Sequence, residues 1–150
     1  MTDLPVYTVA DLEAQPALDV AEFTNDDAVR LGELAIAVIR EHGWNLAVRI
    51  VLRGDVVFIA KLGTTGAGND PWLAGKAALV ERFGEPSLLV RRRHEEAGTP
   101  FVDDDTLKAH GGSIPIRAGG EVVGTITTSG EPDVIDHTAT AEAVRRFLDR

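Results

Sequence analysis

The feature of this sequence that most constrains its fold is a pair of predicted β-hairpins separated by helical segments. The segment from Trp44 to Leu62 is rich in valine and isoleucine on both sides of the dipeptide Gly54-Asp55, a typical tight-turn sequence. A second hairpin is predicted where the stretches SIPIRA and EVVGTITTSG flank the turn Gly119-Gly120. Because a hairpin joins antiparallel neighbours, both segments favour an antiparallel sheet.

Helical patterns stand before, between and after the hairpins. The clearest begins at Asn25, the predicted N-cap, and ends at Gly43, with apolar residues recurring at helical spacing. Before the first hairpin, a short helix is predicted from Val9 to Gln15 after the cap Thr8. Between the hairpins, helices are predicted from Pro71 to Gly84, from Pro86 onward through LLVRRRHEEAG, and briefly near Asp105 to His110. The last helix is predicted to begin after Asp133 or Asp136, with core positions at Ile135, Ala139, Ala143 and Phe147. Helices that cover such a sheet give an α+β layered sandwich of four or five strands. Pro115 lacks an N–H, so its strand is predicted to be an edge strand or to contain a bulge.

Length and composition exclude several classes of function. The chain has 150 residues and no internal repeat, which predicts a single domain over residues 1–150. Its lack of cysteine excludes disulfides, thiolate metal sites and cysteine nucleophiles. The formal charge of −9 argues against nucleic acid or an anionic membrane as a partner. No signal-peptide pattern or membrane-span pattern is visible, so we expect a soluble, cytoplasmic protein.

The glycine-rich loop between the first hairpin and the next helix resembles a phosphate-binding loop only superficially. A P-loop requires G-x-x-x-x-G-K followed by serine or threonine. Here Gly75-Lys76 is followed by Ala77, and Asp70 stands where the first glycine should be. Pro71 at the first helical position accounts for the helix start without an anion.

Four short motifs follow one another along the chain. They are a W-x-x-x-K helix, G-G-x-x-P-I leading into a strand, a following G-x-x-x-x-S-G, and an aspartate-histidine pair at the start of the last helix. In this chain these are Trp72 with Lys76, Gly111-Gly112 with Pro115-Ile116, Gly124 with Ser129-Gly130, and Asp136-His137. In this order the motifs resemble the GlcG/HbpS-like family, also called the haem-degrading-domain family, in its subgroup of short uncharacterised proteins.

The resemblance implies a profilin-like α-β-α layered sandwich with a five-stranded antiparallel sheet. It also implies a homo-oligomer that binds a small molecule, and it places haem among the candidate cofactors without identifying one. Taken with His110, which directly precedes the glycine pair, the motifs give eight candidate ligand-binding residues: Trp72, Lys76, His110, Gly111, Gly112, Ser129, Asp136 and His137.

The candidate residues each have a structural alternative. Trp72 and Lys76 stand one helical turn apart, so they either flank a cleft or serve as a core or interface tryptophan beside a surface lysine. His110 and His137 could bind a ligand or metal, or could cap a helix or pack at an interface. His42 and His94 are assigned structural roles. Paired-histidine spacing and a G-x-S-x-G elbow are both absent, so we predict no metal site and name no catalytic residue.

These residues leave three functional hypotheses. The first is a non-catalytic, homo-oligomeric protein that binds haem or another small anionic ligand. The second is an enzyme acting on a small organic acid or a tetrapyrrole, with His137 as a general base oriented by Asp136. The third is an assembly scaffold for a protein partner, in which the motif residues form subunit contacts.

Overall fold

The computed structural model describes residues 3–149, which form five α-helices and five β-strands. The helices are α1 (Val9–Glu13), α2 (Asn25–His42), α3 (Asp70–Phe83), α4 (Ser87–Glu96) and α5 (Asp133–Leu148), and a short 3-10 helix (Ala67–Asn69) precedes α3. The strands are β1 (Leu18–Val20), β2 (Ala47–Leu52), β3 (Asp55–Lys61), β4 (Ser113–Ala118) and β5 (Glu121–Ser129). Both predicted hairpins are confirmed.

The five strands form one mixed sheet in the order β1-β4-β5-β2-β3. The two hairpins are joined through β2 and β5, which run antiparallel with Ile50 opposite Ile126. The prediction of a purely antiparallel sheet is wrong at one edge, because β1 pairs parallel with β4 and places Leu18 beside Ile116. A parallel neighbour needs a long crossover connection, and here the chain between β1 and β4 contains most of the fold.

Helices cover both faces of the sheet, which confirms the predicted α-β-α sandwich. Helices α2 and α5 pack against one face, and α3 packs across β4 and β5 on the other with α4 beside it. The main core lies under α2 and α5, where Leu31, Ile50 and Phe147 are buried. Three of the predicted core positions of α5, Ala139, Ala143 and Phe147, are buried, whereas Ile135 is only partly so.

Local chemistry corrects two predicted helix features. The N-cap of α2 is Thr24 rather than Asn25, because Thr24 and Asp27 exchange side-chain and backbone hydrogen bonds as a capping box. The short helix predicted near Asp105 to His110 is wrong. The carboxylate of Asp104 accepts hydrogen bonds from the backbone N–H groups of Thr106 and Leu107, which holds the segment in a turn.

Pro115 lies in β4, which is an inner strand rather than an edge strand. The parallel pairing with β1 begins at Ile116, one residue after the proline. A register shift between Ile116 and Arg117 also interrupts the pairing with β5. The alternative of an irregular strand is therefore confirmed, and the edge position is wrong.

Candidate functional site

Lys76 projects from α3 into the protein interior, where its side chain is only 2% exposed. The ammonium Nζ donates hydrogen bonds to Gly111 O at 2.9 Å, Thr128 O at 2.6 Å and Asp136 Oδ2 at 2.9 Å. These three acceptors match the three N–H donors of a lysine. The expectation of a surface lysine is wrong, and all the ammonium donors are engaged within the protein.

Asp136 accepts hydrogen bonds from Lys76 and, through Oδ1, from the backbone N–H of Glu131 at 3.0 Å. Burial raises the pKa of Asp136 to about 6, and the positive charge of Lys76 opposes that rise. Burial lowers the pKa of Lys76, and Asp136 opposes this shift in turn. The hydrogen bonds from Lys76 and from the backbone N–H of Glu131 favour the charged form of the carboxylate.

The Gly111-Gly112 pair allows this buried ion pair to form. A Cβ on Gly111 would collide with the carbonyl oxygen of Asp133 at the start of α5. Gly112 has φ of +132°, and a Cβ there would lie 2.5 Å from Thr128 O and 2.8 Å from the Nζ of Lys76. The glycines are required for close packing between β4, α5 and the lysine head.

His137 follows Asp136 but is fully buried in a different environment. Its Nε2 is 2.8 Å from Gln15 Oε1, and its ring meets the ring of Tyr7 edge-on with centroids 5.0 Å apart. The Nδ1 atom is buried and, among the described residues, has no hydrogen-bond partner. Burial lowers the pKa of His137 to about 4, which keeps the imidazole neutral.

The predicted orientation of His137 by Asp136 is not formed. Within residues 3–149, the hydrogen bonds of the Asp136 carboxylate go to Lys76 and to backbone N–H groups, and none goes to the histidine. Gln15, an amide without charge, contacts the ring instead. The arrangement therefore lacks the carboxylate that would assist a general base.

Trp72 and His110 lie together on the surface. Trp72 is 40% exposed, and its ring contacts the ring of His110 edge-on. The ammonium group of Lys108 lies over the face of the indole. His110 Nε2 is 2.5 Å from Asp103 Oδ2, while Nδ1 is 3.1 Å from a nitrogen of Arg91. Because Trp72 is exposed and Lys76 is buried, the two side chains do not form the shared surface that their spacing suggested.

The structure therefore separates the predicted site residues into three groups. The buried ion-pair cluster contains Lys76, Gly111, Gly112 and Asp136. A second group, Trp72 and His110, lies at the surface. His137 stands apart from both and contacts Gln15. The buried Ser129 accepts a hydrogen bond from Asn69 at the entry to α3. Ligand binding by these eight residues stays a prediction from the sequence. No group of histidines, aspartates and glutamates within residues 3–149 is arranged to hold a metal ion.

A cavity of about 470 Å³ lies beneath the amino-terminal segment, residues 7–18, which we call the strap. The strap includes α1 and crosses α4, β4 and the start of α5, and Leu12 packs against Leu88 and Leu89. The walls of the cavity are largely apolar and include Leu12, Pro16, Leu89, Ile114, Ala141 and Val144. Its size and lining are typical of a small-molecule site.

Hydrogen bonds hold the strap on the body of the protein. Tyr7 Oη is 2.6 Å from Thr138 Oγ1, and Gln15 contacts His137. Arg92 donates to the carbonyl of Tyr7, and Arg93 donates to Glu13 at 3.1 Å. Tyr7 and Gln15 thus line the cavity and also hold the strap in place over it.

Sequence reasoning missed this cavity because the strap carries weak signals. Strand β1 has only three residues, and its parallel partner lies about a hundred residues further along the chain. The Thr8 cap and the helix from Val9 were predicted, but nothing in that pattern indicates which surface the helix covers. The residue in this segment that could have drawn attention is Tyr7, because tyrosine is one of the residue types that bind haem iron.

Comparison with known proteins identifies relatives along nearly the whole chain. The family model described as "Haem degrading protein HbpS-like" matches residues 23–145. A UPF0303 protein of Streptomyces coelicolor is 43% identical over 148 residues, which is 94% of this chain and 94% of the relative.

Solved structures share the fold. The crystal structure of the Ybr137w protein superposes with a TM-score of 0.82 at 25% identity, and covers 94% of this chain and 87% of its own. A complex of PduOC with heme superposes with a TM-score of 0.69 at 15% identity, over 82% of this chain and 93% of that one. Within residues 3–149, no helix has the length and apolar content to span a membrane.

Proposed function

The chain belongs to the family of haem-degrading, HbpS-like proteins, and from that premise we propose that it binds a small amphipathic molecule in the cavity beneath the strap. The observation that carries this proposal is the cavity itself, with about 470 Å³ of space between apolar walls and polar groups at its margin. An apolar ligand body would displace water from Leu12, Leu89 and Ile114, which favours binding by the hydrophobic effect.

Haem is the ligand that the family description suggests, and the cavity residues fit it in chemical type. Tyr7 lines the cavity, and its phenol oxygen, which contacts Thr138 Oγ1, is of the kind that binds haem iron. The apolar wall suits the macrocycle, and an arginine at the margin suits a carboxylate. Bound haem would supply a redox-active iron centre. The protein's own contribution would be to bury the ring, orient the carboxylates and limit access of water.

We further propose that the protein works as a homo-oligomer and without catalysis of its own. Support for assembly comes from the apolar side chains of Val56 and Ile59, which are about half exposed on the edge strand β3. Support for binding without catalysis comes from His137, the histidine proposed as a base, which is fully buried and has no carboxylate orienting it within the described chain.

The test is native mass spectrometry of the protein as purified, followed by titration with haem monitored by its Soret absorption. We expect a stoichiometric complex that Ala141→Trp weakens at least tenfold, because the indole would fill the cavity. Ala37→Trp is the matched control, since it places the same ring on a half-buried helical alanine away from the cavity. Tyr7→Phe should shift the Soret band of the complex.

Equal haem binding by the parent and Ala141→Trp would reject the cavity as the site. The same titration on Trp72→Ala and His110→Ala tests the site predicted from sequence. A loss confined to these two variants would move the binding site to the surface cluster. A complete absence of binding by the parent would remove the haem form of the proposal.

An assembly scaffold is the second candidate, and the 40% exposure of Trp72 favours it. A large exposed indole is a common anchor in protein interfaces. Light scattering on Trp72→Ala separates this function from ligand binding. Dissociation by Trp72→Ala with unchanged ligand binding would support the scaffold.

A further inference from the structure

Within residues 3–149, three arginines line the strap cavity, and two of them are paired with carboxylates. Arg93 donates to both oxygens of Glu85, and Arg145 donates to Glu142 at 2.5 Å. Within each pair, the arginine and the glutamate neutralise each other's charge at the cavity margin. A ligand carboxylate would therefore have to compete with a protein carboxylate at either arginine.

Arg117 differs because its hydrogen bonds go to uncharged carbonyls. Its guanidinium donates to Gly84 O at 2.7 Å and to Gly120 O at 2.9 Å. Asp19 is its register partner on β1, and that carboxylate accepts from the N–H of Gly120. Within residues 3–149, Arg117 forms no ion pair with any carboxylate.

The two carbonyl contacts hold the guanidinium at the cavity wall, and in the part of the chain that the structure describes they leave its other N–H groups without a partner. A guanidinium carries five N–H donors in a planar fork that matches a carboxylate. Gly84 ends α3 in the left-handed conformation, and a Cβ there would lie 3.1 Å from the guanidinium nitrogen of Arg117. The arginine is thus held in place from both sides before any ligand arrives.

We propose that Arg117 binds the carboxylate of the ligand, so that the cavity selects amphipathic carboxylic acids over neutral molecules of the same shape. This inference rests on the proposed function, because it assigns the ligand's acidic end within the same cavity. The apolar wall of Leu89, Ile114 and Val144 would bind the rest of the molecule. The half-buried position of Arg117 reduces the screening of its charge by water.

The experiment uses a matched pair of fluorescent probes, 1-pyrenebutyrate and 1-pyrenebutanol, which share an apolar ring system and differ in the carboxylate. The parent protein should bind the acid roughly ten- to a hundredfold more tightly than the alcohol. Arg117→Gln should remove that preference and leave the affinity for the alcohol unchanged. Arg117→Lys should restore part of the preference, because it keeps the charge without the fork.

Arg145→Gln is the matched control, since it removes a cavity arginine that is already paired with Glu142. It should leave the ratio of the two affinities as it is in the parent. A parent that binds both probes equally would overturn the carboxylate inference while leaving the cavity as a binding site. A preference that survives Arg117→Gln and is lost in Arg145→Gln would overturn the assignment to Arg117.

Failure of the proposed function gives a different result. In that case neither probe nor haem binds the parent, and Ala141→Trp changes nothing. Thermal unfolding of each variant checks its fold. If Arg117→Gln does not fold, the comparison of the two probes on the parent and on Arg117→Lys still decides the inference.

Discussion

The protein contains two clusters of oppositely charged side chains, one buried and one partly exposed to water. Lys76 and Asp136 form a pair whose side chains are 2% and 4% exposed. Arg93 binds Glu85 and Glu13 beside the strap cavity, where the three side chains are 39%, 34% and 52% exposed. The comparison shows that the number of ion contacts does not measure their importance, because burial sets the cost of removing one partner.

Burial makes the Lys76–Asp136 pair costly in free energy unless all of its hydrogen bonds are formed. Removing two charges from water costs several kcal/mol for each ion, and this cost is offset only when every donor and acceptor is satisfied. Here the ammonium has three acceptors from segments far apart in the sequence. The pair thus connects α3 to β5, α5 and the loop before β4, whereas Arg93 adds to contacts that water could replace.

The largest expected effect comes from Lys76→Met. The variant leaves Asp136 buried without its cation, and we expect the free energy of unfolding to fall by about 4 kcal/mol. Denaturant unfolding at pH 7 measures this change. A loss below about 1 kcal/mol would show that the cluster relaxes or hydrates easily.

The double variant Lys76→Met, Asp136→Leu is the control for that prediction. It removes both charges and should be more stable than Lys76→Met alone, by about 2 kcal/mol. The cycle completed by Asp136→Leu separates the interaction between the two side chains from their individual contributions. Additive effects of the two single changes would contradict a coupled pair.

Gly112→Ala should have the next largest effect. The added methyl group would meet Thr128 O and the Lys76 ammonium, and φ of +132° is a conformation that alanine rarely adopts. We expect a loss of about 3 kcal/mol in unfolding free energy. Gly66→Ala is the matched control, since that residue has extended backbone and open space around it. An equal loss in both variants would argue against close packing at Gly112.

His137 should make stability depend on pH between its unfolded and folded pKa values. Burial lowers its pKa from 6.5 to about 4, so below pH 6.5 the unfolded chain binds a proton that the folded protein excludes. Stability is therefore lost as the pH falls from 6.5 towards 4. At about pH 5 the loss should reach about 2 kcal/mol relative to neutral pH.

The measurement is the difference in unfolding free energy between the parent and His137→Gln across this pH range. Asp136, whose pKa is raised to about 6, contributes a slope of the opposite sign, but it is present in both proteins. Nearby Asp133 raises the pKa of His137 and Arg92 lowers it, and both also stay unchanged. A difference that does not vary with pH would contradict a neutral, buried histidine.

The parts of the fold that could be predicted from the sequence are those with local sequence patterns. Both hairpins and the main helices were predicted because their signals are local: an apolar period, turn glycines and helix caps. The α-β-α layers were implied by the resemblance to a known family. Strand β1 was missed because three residues make no pattern and its pairing with β4 depends on the distant Ile116. The cap at Thr24 was missed by one residue, although the Thr24 and Asp27 spacing of a capping box was present.

The candidate site was harder to predict than the fold. The family motifs identified Lys76, Gly111, Gly112 and Asp136, and these residues do meet, but in a buried ion pair rather than around an open pocket. A lysine is rarely buried, so its sequence environment alone favours the surface. The cavity requires the strap to lie over β4 and α5, and that placement depends on contacts such as Gln15 to His137.

The smallest expected effect comes from Arg93→Ala at the exposed cluster. Although Arg93 contacts two glutamates, water screens all three charges, and we expect a loss of no more than about 1 kcal/mol. The loss should shrink further in about 1 M salt, while the loss in Lys76→Met should not, because the buried pair is little screened. Denaturant unfolding of both variants at low and high salt checks this contrast. A loss in Arg93→Ala as large as that in Lys76→Met would mean that the strap's ion pairs hold the fold together, and that the strap does not merely cover the cavity.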